Sequence, residues 1–130
     1  MANAALVDSN VFITLLRQGF DAPEWLGDRF DDLYTCGMVR MEVLRGIREK
    51  RVRERIAGFF DVLCNVPTDD RLWNAAADLG WQLGRRGITL PGPDLVIAAC
   101  VQRAGVPVFT ADHHFSQIPG LPVLPFDPAD

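Results

Sequence analysis

Four acidic residues stand where a solvated surface charge is not expected: Asp8, Glu42, Asp94 and Asp112. Asp8 closes the apolar run Ala4-Ala5-Leu6-Val7, and Glu42 lies between Met41 and Val43. Asp94 opens Leu95-Val96-Ile97-Ala98-Ala99-Cys100-Val101, and Asp112 comes two residues after Val106-Pro107-Val108-Phe109-Thr110. Carboxylates that share a rim repel one another, so such a set persists only by binding cations or keeping protons. Oxygen-only donors point to Mg²⁺ or Mn²⁺ over zinc. A metal held by carboxylates and water beside a phosphate activates water and screens the charge that develops in phosphoryl transfer.

Each acid also has a plainer role. Asp94 suits a helix N-cap, and Asp8 suits the N-terminus of the next helix. Asp112 fits a turn before His113-His114, while Glu42 can pair with Arg40 or Arg45. Taken singly, the plain role is favoured for every acid except Asp8. Their joint placement, at element junctions or amid apolar residues, favours a shared site.

His113 and His114 adjoin Asp112 and could suggest a metal site or a general base, but no carboxylate–His or His-x₃-His spacing accompanies them, which favours loop residues near the rim. Arg85 and Arg86 follow the longest helical pattern. They can hold an RNA phosphate, or simply complement the negative end of a helix. Residues 40–55 carry seven basic and three acidic side chains, a net of +4 in a chain whose total is −4. Such a stripe can steer a phosphate backbone, or be a solvated helix face laced with ion pairs.

The positioning elements follow from periodicity. Ala4–Val7 is too short for a helix and reads as a buried strand, after which Val11, Phe12, Leu15 and Leu16 recur at helical spacing, with Ser9 or Asn10 as the cap. Pro23 fits the first turn of a short helix. Leu33–Cys36 is a strand candidate, Met38–Ile47 and Ile56–Leu63 are helical, and Val62–Val66 contains a third short strand. Thr68-Asp69-Asp70 starts the helix 71–86. One apolar row of that helix runs through Leu72, Ala76, Leu79 and Leu83, another through Trp73, Ala77 and Trp81, so both sides call for cover. Asp94 caps a buried helix stopped at Gly105, Val106–Thr110 is a strand, and Leu121–Leu124 a last edge strand that tolerates proline. Strand and helix alternate, the signature of an α/β domain with a mostly parallel central sheet and helices on both faces.

The 130 residues make one domain, 1–130, with enough chain for a real core. No apolar run has the length to span a bilayer, and the first residues lack the features of a signal peptide. Cys36, Cys64 and Cys100 form no metal-spaced pair; each lies in an apolar context, as buried free thiols in a reducing cytoplasm would.

The segments Val7-Asp8-Ser9-Asn10-Val11, Met41-Glu42-Val43-Leu44-Arg45-Gly46, Asp94-Leu95-Val96-Ile97-Ala98-Ala99 and Thr110-Ala111-Asp112-His113-His114-Phe115, in that order, resemble a PIN domain, and most of all the VapC-type toxins of bacterial toxin–antitoxin pairs. The resemblance spans the full length and rests on the order of four motifs, none specific alone. It implies a Mg²⁺-dependent (or Mn²⁺-dependent) endoribonuclease. Asp8 and Asp94 would be direct metal ligands, and Glu42 and Asp112 would complete the shell, partly through water. Ser9 or Thr110 would add a hydrogen bond behind the ligands. It further implies a cytoplasmic homodimer inhibited by a cognate antitoxin whose tail lies over the site. Two other acid-rich folds fail on composition: a phosphoacceptor receiver wants a lysine at a late strand end, and the sole lysine is Lys50; a haloacid-dehalogenase-type phosphatase wants a second Asp where Asn10 stands. The non-enzymatic alternative is an inactive PIN-like module that sequesters RNA or a protein partner.

Overall fold

A computed structural model describes residues 3–128. Five short strands, β1 (Ala4–Val7), β2 (Asp32–Cys36), β3 (Cys64–Val66), β4 (Val108–Thr110) and β5 (Val123–Pro125), form one sheet in the order β3-β2-β1-β4-β5. Every pairing is parallel, so the sheet is wholly and not just mostly so. The helices are α1 (Ser9–Arg17), α2 (Ala22–Gly27), α3 (Gly37–Arg45), α4 (Lys50–Val62), α5 (Asp70–Gly84) and α6 (Gly92–Ala104), with a 3₁₀ turn over His113–Gln117.

From β1 the chain steps outward to β2 and β3, then returns to the other side of β1 for β4 and β5. Right-handed crossovers in both directions put α1–α4 on one face and the α5–α6 pair on the other. β1 and β4 are therefore neighbours at the point where the strand order reverses. Leu6 pairs with Val108 and Val7 with Phe109, so both strands end side by side. In open α/β sheets the crevice beyond the strand ends at this reversal is where ligands bind.

The strands are apolar on both faces because both are covered: Ala5, Leu6, Val7 and Val108 are fully buried. α6 is buried continuously from Val96 to Val101. It lies against α5, whose Gly80 admits the close approach: a Cβ there would come 2.8 Å from Leu95 Cδ1. Gly105, at φ +69°, terminates α6 in the left-handed region that glycine adopts without strain. Phe60 is buried against Phe12, with Phe59 at the edge of the same cluster.

Several local expectations change. α5 buries the Leu72–Ala76–Leu83 row, while Trp73 and Trp81 stay 48% and 64% exposed, so only one side of it is covered. Cys36 and Cys100 are buried, but Cys64 opens the edge strand β3 and is exposed. α6 begins two residues before Asp94, at Gly92-Pro93, with Pro91 as its cap residue, because proline suits the first helical turn. Asp94 therefore lies in the first turn and its carboxylate is not used as a cap. Ser9 and Asn10 do not cap α1; Asp8 does, accepting from the Ser9 N–H.

Candidate active site

The last residue of β1 hands the chain to Asp8 at the rim of the sheet. Burial there is nearly complete: Asp8 is 3% exposed, one of the few buried polar residues. Its Oδ1 accepts the Ser9 backbone N–H at 2.8 Å, and its Oδ2 accepts the Thr110 hydroxyl at 2.7 Å. Thr110, the last residue of β4, is a hub. Its Oγ1 also accepts from the Asp112 backbone N–H at 2.9 Å and from Asn10 Nδ2 at 3.3 Å. Asn10 Oδ1 in turn accepts the Ala111 N–H at 3.3 Å. The ends of the two neighbouring strands are thus tied together by side chains, and the carboxylate of Asp8 is fixed in direction.

Past Thr110 the chain turns. Asp112 caps the 3₁₀ turn through the His114 N–H, 2.9 Å from its Oδ1. The fully buried Phe115 anchors this turn to the core. The His114 ring is thereby directed at the acids: Nδ1 is 2.7 Å from Asp94 Oδ2 and 3.2 Å from Asp112 Oδ1. Asp94, Asp112 and His114 each offer an atom within 4.8 Å of the others, the one such group among the described residues that could hold a metal ion.

The electrostatics fit a negative pocket that His114 compensates only in part. Burial pushes the Asp8 carboxyl up to about 6; the Thr110 and Ser9 hydrogen bonds oppose that, and the charges of Asp94 and Asp112 add to it. Asp94 is also held above the usual carboxylate range, mainly by burial and then by Asp112, against the pull of His114. His114 is raised above an ordinary imidazole by its hydrogen bond to Asp94, and next by the charge of Asp112. Two carboxylates and an imidazole converging in front of a buried third carboxylate make a donor set that a divalent cation fits, and the raised carboxyl groups are the charge it would relieve.

The four acids do not converge on one point. Asp8, Asp94 and Asp112 feel one another's charge, but Asp8 stands outside the trio whose donor atoms converge. Glu42, half-buried on α3, lines a groove of about 560 Å³ with Ile13, Leu16, Arg17, Arg45 and Arg48. Of its two expected partners, Arg40 and Arg45, Arg40 pairs with Asp61 at 2.7 Å. Arg55 likewise pairs with Asp21 at 2.7 Å, so part of the basic stripe is neutralised on the surface. Arg85 and Arg86 line a second groove of about 520 Å³ with Trp81, Gln82, Gln102 and Pro119. The Arg85 guanidinium lies 4.9 Å from the centre of the Trp81 ring.

The residue that sequence reasoning weighed and set aside as a loop residue is His114. Its spacing from Asp112 was visible, but its shorter contact is to Asp94, twenty residues earlier, and only the turn over 113–117 brings the two together.

A parallel open sheet with buried and half-buried carboxylates at its strand-order reversal defines an α/β domain whose rim carries a group of residues that could hold a cation. The family is specific: residues 5–121 match the model of the PIN domain, and the chain belongs to that family. No curated protein sequence matches it. Its structural neighbours are VapC toxins of VapBC toxin–antitoxin complexes. VapBC2 from Rickettsia felis, bound to a promoter DNA fragment, aligns at TM-score 0.77 and 17% identity over 95% of this chain and 99% of that one. DNA-bound VapBC from Salmonella typhimurium aligns at 0.76 and 21% over 96% and 98%. VapC20 from Mycobacterium tuberculosis, a sarcin-ricin-loop-cleaving toxin, aligns at 0.66 and 16% over 86% and 92%. At these identities the likeness is one of fold. No helix among the described residues is long and apolar enough to cross a membrane.

Proposed function

We propose that the chain is a divalent-metal-dependent endoribonuclease, the toxin of a bacterial toxin–antitoxin pair, working in the cytoplasm as a homodimer. One observation carries the reading: Asp94, Asp112 and His114 converge in front of the buried Asp8 at the strand-order reversal of a PIN fold. Asp8 and Asp94 would ligate Mg²⁺ or Mn²⁺, with Asp112 and, partly through water, Glu42 completing the shell. A cation bound there lowers the pKa of water and screens charge on the scissile phosphate. The chain's own residues supply the rest. Thr110 and the Ser9 N–H hold the Asp8 carboxylate in one orientation. The burial that raises its pKa also keeps bulk water from screening the charge of Asp8 itself.

Two grooves fit the two partners. Trp81, Arg85 and Arg86, with Gln82 and Gln102, suit unpaired RNA: guanidinium groups for phosphate and an exposed ring for a base. The groove beside Glu42 has an apolar floor of Ile13, Leu16, Ile47 and Val52 under Arg17, Arg45 and Arg48, which suits an acidic amphipathic segment of the antitoxin.

The test compares wild type with Asp8→Asn on RNA, in Mg²⁺ or Mn²⁺, with and without chelator. Cleavage that needs the metal and is lost in Asp8→Asn is expected. Chelator-insensitive cleavage, or equal activity in the variant, refutes the mechanism. RNA binding without cleavage by wild type turns the assignment to a sequestering module.

A further inference from the structure

We propose that His114 is itself a metal ligand of the site and that its nitrogen biases the site toward Mn²⁺ over Mg²⁺. The inference rests on the metal-site reading above and adds a donor outside the four acids. Three observations support it. The ring meets the acids through a nitrogen atom: Nδ1 lies 2.7 Å from Asp94 Oδ2 and 3.2 Å from Asp112 Oδ1. Its position is built by the fold, because the turn that carries it is capped by Asp112 and pinned by the buried Phe115 and Ile118. Finally, the converging trio includes His114 and excludes both Asp8 and Glu42, so the tightest donor set is two oxygens and one nitrogen.

Donor chemistry then sets the preference. Mg²⁺ takes oxygen donors and retains several waters, and an imidazole offers it little. Mn²⁺ shares the preference of Mg²⁺ for carboxylate oxygen. As the first of the divalent transition ions it also accepts a neutral imidazole nitrogen, more weakly than Fe²⁺, Ni²⁺, Cu²⁺ or Zn²⁺ do. A wholly acidic pocket would leave selection to cation availability. A pocket with His114 in it discriminates.

The inference is tested by direct metal binding to the full chain. Mn²⁺ affinity is measured by electron paramagnetic resonance and Mg²⁺ affinity by competition against it, for wild type, His114→Ala and Asp94→Asn. Pulsed resonance on the Mn²⁺-loaded protein reads nitrogen modulation from a coordinated imidazole. Wild type should show that modulation, and His114→Ala should lose it together with roughly 10–100-fold in Mn²⁺ affinity. Mg²⁺ affinity should change less than about threefold, so the preference collapses. Wild-type Mn²⁺ binding without nitrogen modulation overturns the inference. An equal loss for both metals also overturns it, since His114 would then only orient Asp94. In either of those cases weaker Mn²⁺ binding by Asp94→Asn leaves the metal-site reading standing. Failure of wild type to bind either ion removes both.

Discussion

Replacing Asp8 with asparagine should abolish activity and at the same time make the metal-free protein more stable. Asp8 is 3% exposed, and burial raises its carboxyl from 3.8 to about 6. Between those two values the folded protein binds more protons at this residue than the unfolded chain does. Stability therefore falls as pH rises through the window, and above it the penalty is constant. At 1.36 kcal/mol per pKa unit, holding Asp8 ionised at pH 7.5 costs about 3 kcal/mol. Asparagine has the same shape and no charge, so it resembles the protonated acid at every pH. It has one acceptor oxygen for two donors, Ser9 N–H and the Thr110 hydroxyl, and the loss of one good hydrogen bond offsets about 1 kcal/mol. A net gain of about 1–3 kcal/mol at pH 7.5 corresponds to a rise in Tm of roughly 3–10 °C for a chain of this size. Near pH 4 the charge is absent from the folded wild type, and the gain should shrink to nothing or reverse. Thermal unfolding in chelator at pH 7.5 and pH 4 checks both halves. Equal or lower Tm for Asp8→Asn at pH 7.5, or the same gain at both pH values, would refute the reasoning. Saturating Mn²⁺ should narrow the gap, because an ion that binds the folded wild type and not the variant stabilises only the former.

The His114 ring should titrate above the ordinary imidazole value of 6.5, and Asp94→Asn should bring its midpoint down, as followed by the ring proton resonances against pH. The stability His114 gains from its partners should be present at low pH and lost as pH rises through that midpoint. Phe115→Ala should cost about 3–5 kcal/mol in denaturant unfolding, because the ring is fully buried and the truncation leaves a cavity under the turn that carries His114. If Trp81 and Arg85 contact unpaired RNA, Trp81→Ala should weaken binding by about 1–3 kcal/mol in a filter or fluorescence titration. Arg85→Ala should flatten the salt dependence of binding, while the Tm of both variants stays near wild type. A change in oligomeric state with RNA binding intact would instead assign Trp81 to a subunit contact.

The sequence by itself determined most of the fold. Runs such as Ala4–Val7 and Val106–Phe109, apolar at every position, can be stable only inside a sheet covered on both faces, and that covering requires helices between parallel strands. One edge strand was legible through Pro122 in Leu121–Leu124, although the observed β5 is shifted to Val123–Pro125 and begins just after that proline. Asp8 was legible too, since a carboxylate closing a buried strand has nowhere to go but the rim. The nearness of Asp8, Asp94 and Asp112 was legible as well, but the sequence could not decide which donor atoms converge. Asp94 reads as a cap, and Pro93 moves the helix start so that it is not one. His114 reads as a loop residue, because its nearest partner is distant in sequence and joined to it only by the 3₁₀ turn. The row of Trp73 and Trp81 reads as core, because periodicity reports an apolar face without saying whether a neighbour covers it. Local pattern depends on the backbone's own geometry and is written in adjacent residues. The convergence of Asp94, Asp112 and His114 depends on the strand order, which places β4 beside β1 and is settled only when the whole sheet closes.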